Sequence, residues 1–340
     1  MKKMLLVLGV AAAAMTSCTN DQTLELNSNS SIDFSAFVGK STRSVTDTDN
    51  DLSKFYVFGY YGENYANEAF DNVSVTNGAS TGVIWTANDY IFAAYADKNV
   101  SSPIPLTAEF VPTTKTLTIS EFQVSETTDL VAAITNNVDN KQLSNPNVDL
   151  TFNHMLSKVK FTIRNTADGL TMKVSNIVVS GLTDKGTCTY TTAPTPPTPN
   201  ISWVPLDGTD NYSIIYDGTT TDIEAPVEED DGDKTYLSYT SEEFLVIPQG
   251  LTNIIAEFTI QFFDANGNMV DEIAFTGRDA VSLNANANSV TTWQGGVVYN
   301  YCTDMPASPS TITFKVREVN GWPDDDTTLD DVEPDEDVDF

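Results

Sequence analysis

A single histidine, His154, occurs in the 340 residues of this chain, and its isolation limits what chemistry the chain can do. Histidine-rich metal sites and Ser-His or Cys-His nucleophiles need an imidazole held against further positioned partners. His154 alternates with Phe152 and Leu156 in a strand-like run, which is the setting of a structural histidine. Gly78-Ala79-Ser80-Thr81-Gly82 has the G-x-S-x-G form of a hydrolase elbow, but that elbow is a strand-to-helix turn with an acid and a histidine later in the chain. Here Ser80 falls in a hairpin-like turn. Carboxylates are so abundant that some pair must stand at a glycosidase-like separation, which makes such a pair uninformative. The acidic runs 228–233 and 324–339 could collect Ca²⁺ weakly, yet Asp264-Ala265-Asn266-Gly267 puts its glycine too early for an EF-hand. Both runs read as solvated charge. Trp85, Trp203, Trp293 and Trp322 could stack on a sugar, or fill cores as indoles usually do. No enzyme activity, metal site or cofactor is expected.

Chemistry of another kind rests with the leader and the cysteines. Met1–Cys18 has Lys2 and Lys3, an apolar run from Met4 to Met15 and small residues before Cys18, the build of a secretory signal too short to span a bilayer. Met15-Thr16-Ser17-Cys18 resembles a bacterial lipobox, with methionine where leucine is usual, so Cys18 is the expected site of acylation, palmitate included. Two or more acyl chains anchor stably where one does not. Arg43 lies in the polar run Ser41–Asp51, an exposed loop by composition. Cys188 and Cys302 are the remaining thiols; an oxidising compartment permits one bridge between them, and two buried thiols are the other reading.

Composition bounds the rest. Seventeen basic against 48 acidic residues give a net charge of −31, which repels nucleic acid and anionic membrane surfaces. A hydrophobic content of 40% suffices for the cores of two ordinary domains.

The elements that must position these residues are strands. Ile32, Phe34, Ala36 and Val38 alternate with other residues at period two. From Lys54 onward FYVFGYY, FDNVSV, GVIWTAND, YIFAAYA, KTLTISEFQV and DLVAAI follow at short intervals with turns between, the rhythm of a sandwich or barrel. After Pro146 a second set begins, from VDLTFNHMLSKVKFTIRN to ITFKVREV, interrupted by the loop TTAPTPPTPN and a hairpin at Asn266-Gly267. The residues by themselves give a signal at 1–18, a polar tether at 19–31, a first β domain that can end near Pro146, a second β domain after it and an acidic tail at 323–340. That tail carries ten carboxylates and no base.

Val148–Asn165 resembles the fimbrillin family of the Bacteroidetes, the FimA-like and Mfa-like pilins of type V fimbriae. FYVFGYY, IWTANDYIFAAYA, DLVAAI, FLVIPQG, VVYNYC and ITFKVREVNGW agree with it in order, over nearly the whole chain. The resemblance implies an all-β fold of two tandem transthyretin-like β-sandwich domains, export as an outer-membrane lipoprotein, and a cut by an arginine-specific surface protease between Arg43 and Ser44, which makes 19–43 a propeptide, 44–146 the N-terminal domain and 147–322 the C-terminal domain. It further implies donor-strand polymerisation into a cell-surface fimbrium used for adhesion. The strand bearing Ile32, Phe34, Ala36 and Val38 would be lost with the cut, opening an apolar groove with unpaired backbone. Ile312, Phe314 and Val316, within 311–320, repeat the same alternation and are the expected donor to the next subunit. Head-to-tail pairing that does not close makes a filament. On this reading Phe314→Asp abolishes assembly and leaves the monomer folded. The partners are further copies and other fimbrial subunits, with the outer membrane through the lipid before cleavage. The expected role is stalk pilin; a tip or anchor fimbrillin, and a surface glycan-binding lipoprotein using exposed tryptophans, are the alternatives.

Overall fold

The structure, a computed structural model, describes residues 31–39, 52–79, 82–98, 105–125, 127–139, 147–192, 199–206, 212–219, 222–228, 233–309 and 312–320. The molecule is an all-β sandwich protein, and the only helical turns among the described residues are two short 3₁₀ turns at Glu63–Tyr65 and Gly277–Asp279.

The first large sheet has seven strands. Its order is Asp33–Val38, Asn147–His154, Leu130–Ile134, Asp89–Asp97, Lys54–Tyr61 and Asn67–Thr76, with Val138–Asp139 added beside Asp89–Asp97. Its central strands are continuous apolar runs because both faces are covered. Tyr56, Phe58, Ile91, Ala93 and Tyr95 point to one face, where they meet Phe110, Leu117, Ile119, Phe122 and Tyr190 from a four-stranded sheet. That second sheet runs Pro199–Pro205, Lys185–Thr192, Thr116–Gln123, Thr107–Val111. Phe55, Val57, Phe92, Ala94 and Ala96 point to the other face, where the sheet rolls over and packs on its own edge. The first strand closes the roll. It pairs in parallel with Asn147–His154 on one side, while on the other the amides of Ile32 and Phe34 donate to the carbonyls of Val83 and Gly78.

Two five-stranded sheets form the second sandwich. One runs Ser238–Thr240, Ser157–Asn165, Val297–Met305, Lys315–Asn320, with Phe244–Val246 also on Ser157–Asn165. The other runs Tyr212–Thr219, Thr171–Leu182, Ile255–Phe263, Met269–Phe275, with Val281–Ser282 on Ile255–Phe263. Val159, Phe161, Ile163, Tyr299 and Tyr301 face Val174, Val179, Phe258, Ile260 and Phe262 across the core. The hairpin at Asn266-Gly267 forms as its residues require: Gly267 has φ of 79°, and Asp264 Oδ1 accepts from the amides of Asn266 and Asn268.

Residue 146 divides the chain but not the sheets. Asn147–His154 joins the first sheet, and Lys185–Thr192 pairs with Thr116–Gln123. Alternation marks strands but carries no information on their partners, so the cross-pairing was not visible in the sequence. The chain steps between the sandwiches at Met155 and Leu156, both fully buried, where Trp203 Nε1 donates to the Met155 carbonyl at 2.8 Å. Gly295 is required there, since a Cβ would lie 2.7 Å from that same carbonyl oxygen.

Candidate assembly groove

The slot that holds the first strand is an apolar groove among the described residues, and its occupant comes from the chain itself. Ile32, Phe34, Ala36 and Val38 are 0, 3, 9 and 3% exposed, whereas Asp33, Ser35 and Phe37 between them face outward and are half-buried. Phe34 sits edge-on against Phe55, Phe70 and Phe92, with ring centroids 5.4 to 5.9 Å apart. Val148, Leu150 and Phe152 stand opposite Phe34, Ala36 and Val38 in the parallel register. The backbone is bonded on both sides. Besides the ladder to Asn147–His154, Ala36 O accepts from Leu52 N at 3.1 Å and Gly39 N donates to Phe152 O at 3.0 Å.

Gly78 is the residue that lets the strand in. Its φ is 75°, and a Cβ there would come within 2.2 Å of the Phe34 carbonyl oxygen. The sequence marked it as a turn glycine, but its role of admitting a neighbouring backbone depends on a strand over forty positions earlier and had no local signal.

Without Asp33–Val38 the slot would be an extended apolar trench, lined by aromatic rings and flanked by carbonyls and amides that have lost their partners. Such a surface recognises another strand through backbone pairing and alternate side-chain pockets. Arg43, Ser44 and Cys18 lie outside the described residues, as does the tail 323–340. The chain leaves the strand at Gly39 and is described again at Leu52, beside the same slot.

The segment expected to act as donor has a place of its own. Phe314 is fully buried in the second sandwich among Phe161, Phe258 and Tyr301, Val316 is buried beside it, and Ile312 packs partly buried on the same core. Lys315–Asn320 pairs with Val297–Cys302, and the outer side is held where the Ala287 amide donates to Phe314 O and the Val316 amide to Asn288 Oδ1. The expectation that Phe314→Asp leaves the monomer folded is therefore corrected: a carboxylate there would be buried among aromatic rings.

The remaining candidates settle into structural roles. His154 is buried and its Nδ1 lies 3.0 Å from Asp129 Oδ1, also buried. Cys188 and Cys302 are free thiols on strands of different sheets, so the permitted bridge is not made, and burial pushes both thiols up in pKa. For Cys302 burial outweighs the pull of Arg317, Lys160 and Lys315. Trp85 and Trp293 are buried and Trp203 is half-buried with its indole committed to a carbonyl; Trp322 lies outside the described residues. Ser80 also lies outside them, and Thr76 bridges Ala79 in a tight turn, with no helix in the described residues that follow. Among the described residues no group of three or more His, Cys, Asp or Glu is placed to hold a metal.

Comparison with known proteins gives one family. The model of the family described as fimbrillin-like matches residues 42–322. A fimbrial protein from Bacteroides vulgatus has 14% identity, covers 85% of this chain and 99% of its own, and superposes with a TM-score of 0.56. A candidate cell adhesion protein from Bacteroides uniformis has 18% identity over 85% of this chain and 98% of its own, with a TM-score of 0.39. A further one from Bacteroides eggerthii has 13% identity over 87% and 98%, with a TM-score of 0.44. At these identities the first likeness is one of fold. No curated protein matches the sequence.

Proposed function

Because the chain belongs to the fimbrillin-like family, we propose that it is a structural subunit, the stalk pilin, of a type V fimbria. It is exported as a lipoprotein through Cys18, reaches the cell surface, and is released by a cut after Arg43. It then polymerises by donor-strand exchange to serve adhesion.

The observation that carries this reading is the closing strand. Four consecutive inward positions, Ile32 to Val38, fill a slot that the rest of the fold builds completely, and the strand stands just before an arginine in a polar run. Each large apolar side chain is worth roughly 1.5 to 3 kcal/mol when fully buried, so an emptied slot strongly favours any strand that can refill it. The family match begins at residue 42, one before Arg43. The alternating segment Ile312 to Val316 is the proposed donor, and it must leave its own sandwich to act. Among the described residues a glycan-binding role gains no support, because Trp85 and Trp293 are buried and Trp203 is half-buried with its indole engaged.

Sequencing the N terminus of the surface form tests the proposal. A start at Ser44 together with denaturant-resistant oligomers supports it, and Arg43→Ala should keep the protein monomeric and acylated. A surface form that still begins at acylated Cys18 would sink it.

A further inference from the structure

The closing strand and the proposed donor strand are built alike. Ile32-Asp33-Phe34-Ser35-Ala36 and Ile312-Thr313-Phe314-Lys315-Val316 share an isoleucine, a phenylalanine and a smaller aliphatic residue at alternate positions. Each phenylalanine is buried in a cage of three rings. Phe34 lies 5.4 to 5.9 Å from Phe55, Phe70 and Phe92, and Phe314 lies 5.6 to 6.2 Å from Phe161, Phe258 and Tyr301. The slot selects direction as well as shape. Ile32, Phe34 and Ala36 turn their side chains inward and their backbone groups away from Asn147–His154. The amides of Ile32 and Phe34 donate to Val83 O and Gly78 O at 2.9 and 2.8 Å, and Ala36 O accepts from the Leu52 amide at 3.1 Å. Side-chain face and backbone edge alternate together along a strand. A strand laid in backwards with the same residues inward would therefore turn those amides and that carbonyl to the opposite edge.

We propose that the donor segment of a second copy enters the emptied slot in the direction of the strand it replaces, parallel to Asn147–His154, with Ile312, Phe314 and Val316 in the places of Ile32, Phe34 and Ala36. The assignment rests on the donor-strand reading above and adds to it a polarity and a register. In this register the amides of Ile312 and Phe314 and the carbonyl of Val316 take over the bonds to Val83, Gly78 and Leu52. Phe314 exchanges one ring cage for another, and Ile312, half-buried on its own sandwich, reaches a site where Ile32 is 0% exposed. A slip of two positions one way would force the Phe314 ring into the place of Ala36, opposite Leu150, where it overpacks. A slip the other way would leave Val316 in the ring cage with a cavity around it. The likeness ends at Glu318. It falls in the place of Val38, which is 3% exposed and opposite Phe152, so a side chain exposed in its own sheet meets an apolar site. That end of the slot is the weak end of the joint.

Paired cysteines in chains cut after Arg43 test the register. Thr313 would take the place of Asp33, whose ladder partner is Asn147, so Thr313→Cys with Asn147→Cys should give a ladder of disulfide-linked oligomers that a reductant dissolves. Thr313 is exposed and Asn147 half-buried, so neither change opens a core. Ladder partners lie within disulfide reach, whereas diagonal positions about 7 to 8 Å apart do not. Thr313→Cys with Asp149→Cys should therefore stay unlinked; a strand entering backwards about Phe314 would bring those two together instead. Glu318→Val should slow the release of subunits in denaturant about tenfold or more, because a valine then fills the place of Val38. A link through Asp149, no link at Asn147 while the unsubstituted chain assembles, or unchanged release with Glu318→Val would each overturn the register and leave donor exchange standing. No ladder from the unsubstituted cut chain would sink the donor-strand reading, and the register with it.

Discussion

Phe34 anchors the closing strand in the intact chain and would be absent from the form that the proposed cut after Arg43 leaves. In the intact chain it is the hub of an aromatic cluster with Phe55, Phe70 and Phe92, and truncation of such a residue costs about 3 to 5 kcal/mol. Gly78 is its counterpart on the wall. An alanine there must hold a φ of 75° and place its Cβ 2.2 Å from the Phe34 carbonyl oxygen, so strain and collision add. We expect Gly78→Ala to lower the melting temperature of the intact chain by several degrees. The same substitution in a chain that begins at Ser44 should cost only the backbone strain of roughly 1 to 2 kcal/mol, since the colliding carbonyl is gone. Equal losses in both chains, measured by denaturant unfolding, would show that the strand is not seated against Gly78.

Among the elements, the two strands proposed to exchange differ in how they are held. Asp33–Val38 has its ladder on one side and loop carbonyls on the other. Lys315–Asn320 has its ladder to Val297–Cys302 on one side and the turn at Ala287 and Asn288 on the other. The second strand can be locked without disturbing its core, because Lys315 stands directly opposite the free thiol of Cys302. Opposed residues of an antiparallel pair lie at a Cα separation of about 4.5 to 5.5 Å, within reach of a disulfide. Oxidised Lys315→Cys should therefore be cut normally after Arg43 yet form no ladder of oligomers as donor, and a reductant should restore the ladder. A locked chain that still donates would show that another segment fills the groove. This replaces Phe314→Asp as a test, since that change attacks the folding of the donor domain itself.

For the molecule as a whole, both sandwiches bury phenols, and this sets an alkaline limit to stability. Tyr190 in the first sandwich and Tyr299 in the second are each pushed up to about 12, mainly by burial, from an ordinary value of 10.0. A phenol whose folded value lies above its unfolded one stabilises the fold fully below pH 10, and that stability is lost as pH rises through 12. Unfolding between pH 10 and 12 should thus coincide with the rise of tyrosinate absorbance. Titration of all thirteen tyrosines near pH 10 with the fold intact would contradict the burial.

The sequence by itself determined that this is an all-β protein, which positions alternate, and which four side chains of the first strand turn inward, because a period of two is a local property. It also settled the charge, and it placed Cys18, Arg43 and the acidic segment. It exposed the poverty of catalytic candidates through a single histidine, and the structure then gave His154 a buried carboxylate partner. Only the tertiary structure decided which strands meet. The parallel pairing of Asp33–Val38 with Asn147–His154 joins residues more than a hundred positions apart, and the use of Gly78 as a wall depends on how far a sheet rolls. Whether Phe314 waits exposed or fills its own core was equally a matter of packing. Alternation has no term for the partner on the far side of the ladder, and that partner makes one apolar strand the closing strand of a groove and another a member of its own core.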